Sequence, residues 1–406
     1  MNLRWFNLTE DGKIDLAAAL LKEGQLEQAC QQLESMRKEA IDVPGWLHDM
    51  AIYTLLEAEE VGQALHLLRE RFQDGDMDIS KVIWHRFLDV ASSLRHREGT
   101  AFVWTKQVVP GYLNPASGIC YNVLATAGRT GDTYLATEAF RILGQRSTVF
   151  TTEHYEELIN TYIHARPPDV QAAMSVMTIM DSANLEPSTV TTRSICQYFV
   201  KKPQAAHDAV AILHDLHSRG RAIPVAAPNV IIEAFVDMGD FNSALLLYKS
   251  MHQLEQPQED PDAPYRPLAN IATFNLLIRG ARGLGSPASY ETATFLASEQ
   301  SALGIPRDSM TYDRLILRCY EAGRLDRGYK YFEEMREMGF TLRGGTARAF
   351  CEALARNHDE RCWIVLQAHV DAGQGRTNLR FNLEAAWMSA AEAPSSETTM
   401  ADGVVT

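Results

Sequence analysis

Met310–Phe340 reads MTYDRLILRCYEAGRLDRGYKYFEEMREMGF. Two apolar stripes at helical spacing run through it. Tyr312, Leu315 and Ile316 form one, and Tyr329, Phe332 and Met335 the other, with Gly323 at the break between them. The pattern predicts two short amphipathic helices joined by a tight turn. A pair this short cannot bury both stripes by itself, so it needs neighbours of the same kind.

The rest of the chain supplies them. Gly328 stands seven residues before Met335, two turns along one helix face. The same pairing of small and large apolar residue recurs as Ala29 with Met36, Ala136 with Leu143, Ala173 with Met180, Ala209 with Leu216 and Ala244 with Met251. Ala64, Ala101 and Ala293 fill the other slots, although Arg71 stands where a large apolar residue is expected after Ala64. Seven of the eight steps are 35 to 37 residues and one is 49. Aromatic residues precede the small residue in several units (Trp84, Tyr121, Tyr155, Phe274, Tyr312), each followed three positions later by a residue of the leucine or phenylalanine type. Glycine often sits at the intervening turn, as in KEGQLEQA, RTGDTYLA, DMGDFNSA and EAGRLDRG. It suits a helix end, where a left-handed residue costs other side chains more. The aromatic stripe is read as core.

These signals predict an all-α, right-handed α-solenoid of about nine helix-turn-helix repeats over 10–343, after a lead-in at 1–9. The units fall near 10–44, 45–80, 81–116, 117–151, 152–188, 189–224, 225–270, 271–308 and 309–343. An acidic, proline-rich insert at 252–269 reads as a surface loop, 344–389 as degenerate capping helices, and 390–406 as a disordered tail.

Composition narrows the function. With 38 basic and 52 acidic residues the net charge is −14, which argues against a broad non-specific nucleic-acid surface but leaves room for a local groove. The six cysteines form no CxxC pair and read as reduced, mostly buried thiols. No run of eighteen apolar residues occurs, so no membrane insertion is expected. His214 and His217 share a helix face without a third ligand, GARGLG follows no strand, and no hydrolase, metalloprotease or phosphate-loop motif is present. The expectation is a non-enzymatic protein with no metal and no cofactor.

The unit SMTYDRLILRCYEAGRLDRGYKYFEEMREMGF resembles the pentatricopeptide repeat, as does IATFNLLIRGARGLG before it. The resemblance implies binding of single-stranded RNA, one base per repeat, read by two side chains. One is the residue after the aromatic on the first helix of the unit; the other is the last residue of the unit. Carried over, the pairs are Asn122 with Thr151, Asn229 with Asn270, Asn275 with Asp308, and Asp313 with Arg343; the Asn229 and Asn275 pairs resemble pyrimidine readers, whereas Asn122 with Thr151 and Asp313 with Arg343 depart from the common combinations. Asp49 with Ser80, His85 with Ala116, Glu156 with Ser188 and Arg193 with Pro224 fit no familiar combination. If they read bases, Asn229, Asn275 and Asp313 line one concave groove, and Asn270, Asp308 and Arg343 each sit beside the reader of the next unit. The alternative for the asparagines is helix capping. The family further implies a mitochondrial matrix protein acting on transcript stability, processing or translation, although the N-terminus, acidic by its tenth residue, lacks a presequence pattern. A protein-binding scaffold for a mitochondrial assembly or ribosomal partner is the alternative function.

Overall fold

Consecutive short helices, joined by tight turns, account for most of the described residues. The computed structural model describes residues 8–73, 79–255, 267–374, 383–384 and 387–388. The tail at 390–406, most of the lead-in and most of the insert lie outside the described residues. The first ten helices are α1 (Glu10–Lys22), α2 (Leu26–Lys38), α3 (Gly45–Glu57), α4 (Val61–Gln73), α5 (Lys81–Ser93), α6 (Arg97–Val103), α7 (Ser117–Thr130), α8 (Thr133–Gln145), α9 (Thr152–His164) and α10 (Val170–Ser182). They are followed by α11 (Thr189–Lys201), α12 (Pro203–Ser218), α13 (Ala226–Asp237), α14 (Phe241–Ser250), α15 (Ile271–Gly280), α16 (Ala288–Ala302), α17 (Ser309–Glu321), α18 (Leu325–Glu337), α19 (Gly344–Arg356) and α20 (Arg361–His369). No strand occurs among the described residues. The fold is an all-α helical-repeat solenoid.

The chain divides into two units, Met1–Ile195 and Cys196–Thr406, with the boundary inside α11. In the first, α1, α3, α5, α7 and α9 pack successively as a row of first helices, each also packed on its own second helix. In the second, α13, α15, α17 and α19 form the corresponding row.

The turn glycines take the backbone expected of them: Gly24, Gly131, Gly239 and Gly323 all have φ between 67° and 79°. Where the second and third hairpins lack glycine, Glu59 and Arg95 adopt the same left-handed conformation. Counting five residues on from this turn residue reaches the small slot, and Ala29, Ala64, Ala136 and Ala244 are all fully buried there. The third hairpin corrects the expectation that Ala101 fills its slot. Five residues after Arg95 comes Thr100, fully buried, whereas Ala101 is half-buried. The sequence misled because threonine is not an obvious small residue and an alanine lay beside it. The expected aromatic core is present: Trp84, Tyr155, Phe274 and Tyr312 are buried, with Tyr121 half-buried.

All six cysteines are free thiols, five of them buried and Cys30 half-buried. Among the described residues no helix is long and apolar enough to cross a membrane.

Candidate nucleic-acid interface

The first-helix row of the second unit positions a repeated set of polar side chains at each junction between hairpins. Asn229 is the fourth residue of α13, and Asn275 and Asp313 are the fifth residues of α15 and α17. The last residue of each repeat caps the next first helix. Asn270 caps α15, accepting the Thr273 amide at 3.1 Å, and Asp308 caps α17, accepting the Thr311 amide at 2.7 Å.

Reader and cap then meet across the junction. Asn229 Nδ2 donates to Asn270 Oδ1 at 3.2 Å. Asn275 Nδ2 donates to both carboxylate oxygens of Asp308, at 3.1 and 3.2 Å. Asp313 accepts the backbone amide of Arg343 at 3.2 Å, so the exposed Arg343 contributes its main chain to this contact. Asn270, Asp308 and Arg343 were expected beside the reader of the following unit. In these bonds each instead meets the reader of its own unit, because the start of one first helix faces the N-terminal part of the first helix before it.

A third residue at every junction was not anticipated from sequence. Thr273 Oγ1 donates to Asn229 Oδ1 at 2.7 Å, Thr311 Oγ1 lies 3.2 Å from Asn275 Oδ1, and Thr346 Oγ1 donates to Asp313 Oδ2 at 3.0 Å. Each is the third residue of the following first helix. The only sequence signal was the Thr-x-x spacing to the next reader, in TFN and TYD, where the threonine looked like an ordinary helix-start residue.

These partners bury the readers more than an open groove would: Asn229 is 8%, Asn275 6% and Asp313 6% exposed. The capping alternative for Asn229 and Asn275 does not hold either, since both lie inside their helices and the caps are Asn270 and Asp308. Burial opposes ionisation of Asp308, but hydrogen bonds from Thr311 and Asn275 outweigh it and hold the carboxyl below its ordinary value. Arg314 donates to the Asn275 carbonyl. Burial, with Arg279 and Arg343 nearby, lowers its guanidinium to about 10. Arg279 in turn bridges Asp237 at 2.7 Å and Glu233 at 3.9 Å, so the row carries charges of both signs.

In the first unit the carried-over positions are occupied differently. Asn122 Oδ1 accepts from Arg95 Nη1 at 3.3 Å, and the same guanidinium holds the carbonyls of Ser92 and Asn122. Thr151 forms a capping box with His154 at the start of α9. Asp49 is ion-paired with Arg71. Beside these positions three apolar side chains stand in solvent, Trp46 (54% exposed), Val82 (67%) and Val190 (46%). Each is three residues before Asp49, His85 or Arg193 and so shares its helix face.

Cys196, Glu233 and Asp237 are the one group among the described residues that brings three possible metal ligands together. The sequence reading did not single them out, because they lie on two helices. Burial, reinforced by the two carboxylates, pushes the Cys196 thiol up to about 12, and Arg279 already neutralises the acids. This is a protonated thiol beside an ion-pair cluster, poorly suited to hold a cation.

Comparison with known proteins finds pentatricopeptide-repeat matches in two stretches of the chain. Residues 117–251 match the family described as "Pentatricopeptide repeat-containing protein", and residues 310–340 match "PPR repeat". No curated protein matches the chain. Among solved structures, the pentatricopeptide repeat protein PPR10 in complex with an 18-nt psaJ RNA element is 18% identical with a TM-score of 0.39, covering 92% of this chain and 56% of its own. PPR10 from maize is 13% identical with a TM-score of 0.38, covering 94% and 62%. Yeast Rmd9p in complex with a 16-nt target RNA is 12% identical with a TM-score of 0.45, covering 94% and 84%. This chain thus spans little more than half the length of the first of them. Likenesses this distant say nothing about a ligand. The repeats themselves carry the likeness: in 117–251 and 310–340 the chain contains segments that match pentatricopeptide repeats.

Proposed function

We propose that this protein binds single-stranded RNA along the first-helix row of its second unit, with one pyrimidine taken at Asn229/Asn270 and one at Asn275/Asp308. The observation that carries this reading is the hydrogen-bonding capacity left at the two junctions. At the first, Asn270 Oδ1 is occupied by Thr273 and Asn229, while the Asn270 amide hydrogens and one Asn229 hydrogen have no partner among the described residues. Such a site offers donors, which suits the N3 and O2 acceptors of cytosine. At the second, Asp308 Oδ2 has only Asn275 as a partner, so a carboxylate lone pair remains beside one free Asn275 hydrogen. That combination suits uracil, whose N3–H is a donor flanked by carbonyl acceptors. Burial of Asn229 and Asn275 makes each a preorganised contact with little freedom to lose on binding.

On this reading the protein acts in the mitochondrial matrix on transcript stability, processing or translation, without catalysis of its own. Fluorescence anisotropy with labelled cytidine- and uridine-rich single strands at low salt tests it. Replacing Asn229 and Asn275 together by alanine should weaken binding by about 1–3 kcal/mol per lost base contact. The binding of no single strand by the wild-type protein would favour the second reading, a protein-binding scaffold. The near-complete burial of the readers and the net charge of −14 are the features that speak for it.

A further inference from the structure

Arg282 and Arg318 stand together at the far end of the first helices from the Asn275/Asp308 junction. Arg282 follows α15 in the short turn that leads to α16, within the stretch GARGLG, while Arg318 and Glu321 lie in the last turn of α17. About 12 Å of helix separates Glu321 from Asp313. Between these segments and the start of α16 is a cavity of about 180 Å³, whose wall includes Arg282, Ser286, Ser289, Arg318 and Glu321. Glu321 is the one acidic residue on that wall. A pocket for a drug-sized ligand takes roughly 300–1,000 Å³, so this one suits a small group.

Two polar side chains on the wall are buried with hydrogen-bonding capacity unmet. Ser289 is 6% exposed, and its Oγ has no hydrogen-bond partner among the described residues. Arg318 is equally buried. Its Nη2 donates to Glu321 Oε1 at 3.3 Å, whereas Nη1, 2.5 Å from Oε2, is ion-paired without the geometry of a hydrogen bond. Arg282 Nε lies 3.9 Å from the same carboxylate. Two guanidinium groups thus share one carboxylate, and a positive charge is left over. Burial, with Arg282 nearby, holds the Arg318 guanidinium below its ordinary value against the pull of Glu321.

The start of α16 adds to this positive end. No side chain caps the helix, but the amides of Ser289, Tyr290 and Glu291 are taken by the carbonyls of Gly285 and Pro287. The helix therefore contributes its dipole and not a set of free donors. Buried polar groups without partners call for a guest. Water accepts hydrogen bonds but leaves the extra charge uncompensated; a small oxyanion answers both needs.

We propose that this cavity is a phosphate site, taking inorganic phosphate or the terminal phosphate of a small monoester, with Arg282 at the mouth and Arg318 and the Ser289 hydroxyl in the wall. Such a group carries a charge of about −1.5 to −2 at neutral pH. A phosphodiester, with a sugar on both sides, suits so small a recess less well. GARGLG follows no strand and builds no phosphate loop; here side chains do the holding. The site is separate from the reader row and stands whether or not that row binds RNA.

Isothermal titration calorimetry on the full chain at constant ionic strength tests this, with inorganic phosphate and adenosine 5′-monophosphate as the two probes. The wild type should bind at least one of them in the millimolar range or tighter. Binding of both assigns a monoester site, and binding of phosphate alone assigns the free ion. Arg282→Ala should weaken binding about tenfold or more, the size of one charge-assisted hydrogen bond. The Arg282 side chain is 73% exposed, so this variant should melt like the wild type without phosphate. Ser289→Ala should weaken binding as well. Arg348→Ala removes an equally positive, exposed side chain on α19 and should change nothing. Glu321→Gln removes the carboxylate that competes for both arginines, so it should tighten binding. Absence of binding of either probe by the wild type overturns the inference. So does an Arg282→Ala protein that binds like Arg348→Ala, or a Glu321→Gln protein that binds more weakly than wild type.

Discussion

Arg71, near the end of α4, reaches back to the first helix of its own hairpin, where it pairs with Asp49 and donates to the Gly45 carbonyl at 3.2 Å. It stands where the repeat pattern calls for a large apolar residue. The Arg71 side chain is 5% exposed and that of Asp49 26%, so the pair is largely withdrawn from water. The charge of Asp49 is thus offset within its own hairpin.

Arg71→Met, which restores the expected residue type, should therefore destabilise the first unit by about 2–3 kcal/mol, because Asp49 is left without its counter-charge in a poorly solvated place. Adding Asp49→Asn should recover most of the loss. Urea unfolding of the three proteins measures this; an Arg71→Met protein as stable as wild type would show that the pair contributes nothing.

Thr100 occupies a slot held by alanine in several other hairpins, and its hydroxyl oxygen has no hydrogen-bond partner among the described residues. Thr100→Val keeps the shape and removes the unpaired group. It should raise stability by about 1 kcal/mol, seen as a higher melting temperature. A lower one would mean that the hydroxyl is satisfied in solution.

The fully buried Ala244 shows the opposite constraint. Ala244→Leu adds volume at a close helix contact and should cost about 1–3 kcal/mol by overpacking. Thermal unfolding indistinguishable from wild type would refute the assignment of this residue to the interhelical slot.

Asp308 gives a pH signature. Its carboxyl is held below the ordinary value, burial being outweighed by the Thr311 and Asn275 hydrogen bonds. A lowered folded-state pKa means that the unfolded chain takes up the proton first as pH falls. The stabilisation is thus fully present above the ordinary carboxylate range and is lost as pH drops through that range to the folded-state value. Asp308→Asn keeps a capping side chain but has no proton to take up. Its stability should fall less steeply than that of wild type in urea melts stepped from neutral pH to pH near 3; parallel curves would remove Asp308 from the titration.

A fourth kind of measurement concerns location. Fractionation of a full-length tagged protein should recover it with the mitochondrial matrix, protected from added protease. A signal confined to the cytosol would end that part of the proposal and leave RNA binding to be judged on its own.

Local rules made much of this protein legible in its sequence. Helix periodicity marks the hairpins, the need for a left-handed residue marks Gly24, Gly131, Gly239 and Gly323, and the small slot must recur at the hairpin length because only stacked copies bury the stripes. Those features depend on residues a few positions apart. The family resemblance named the junction residues, because cap and reader types recur in register with the hairpins. Tertiary structure alone decided what they do to one another. Asn229 meets Asn270 and Thr273 more than forty residues later in the chain, Arg71 meets Asp49 across its hairpin, and Thr100 rather than Ala101 enters the close contact. Hydrogen bonds and ion pairs depend on differences in distance of about an ångström, and helix packing sets those distances. A pattern of residue types specifies which face a side chain lies on, but not which atom of a neighbouring helix takes its proton.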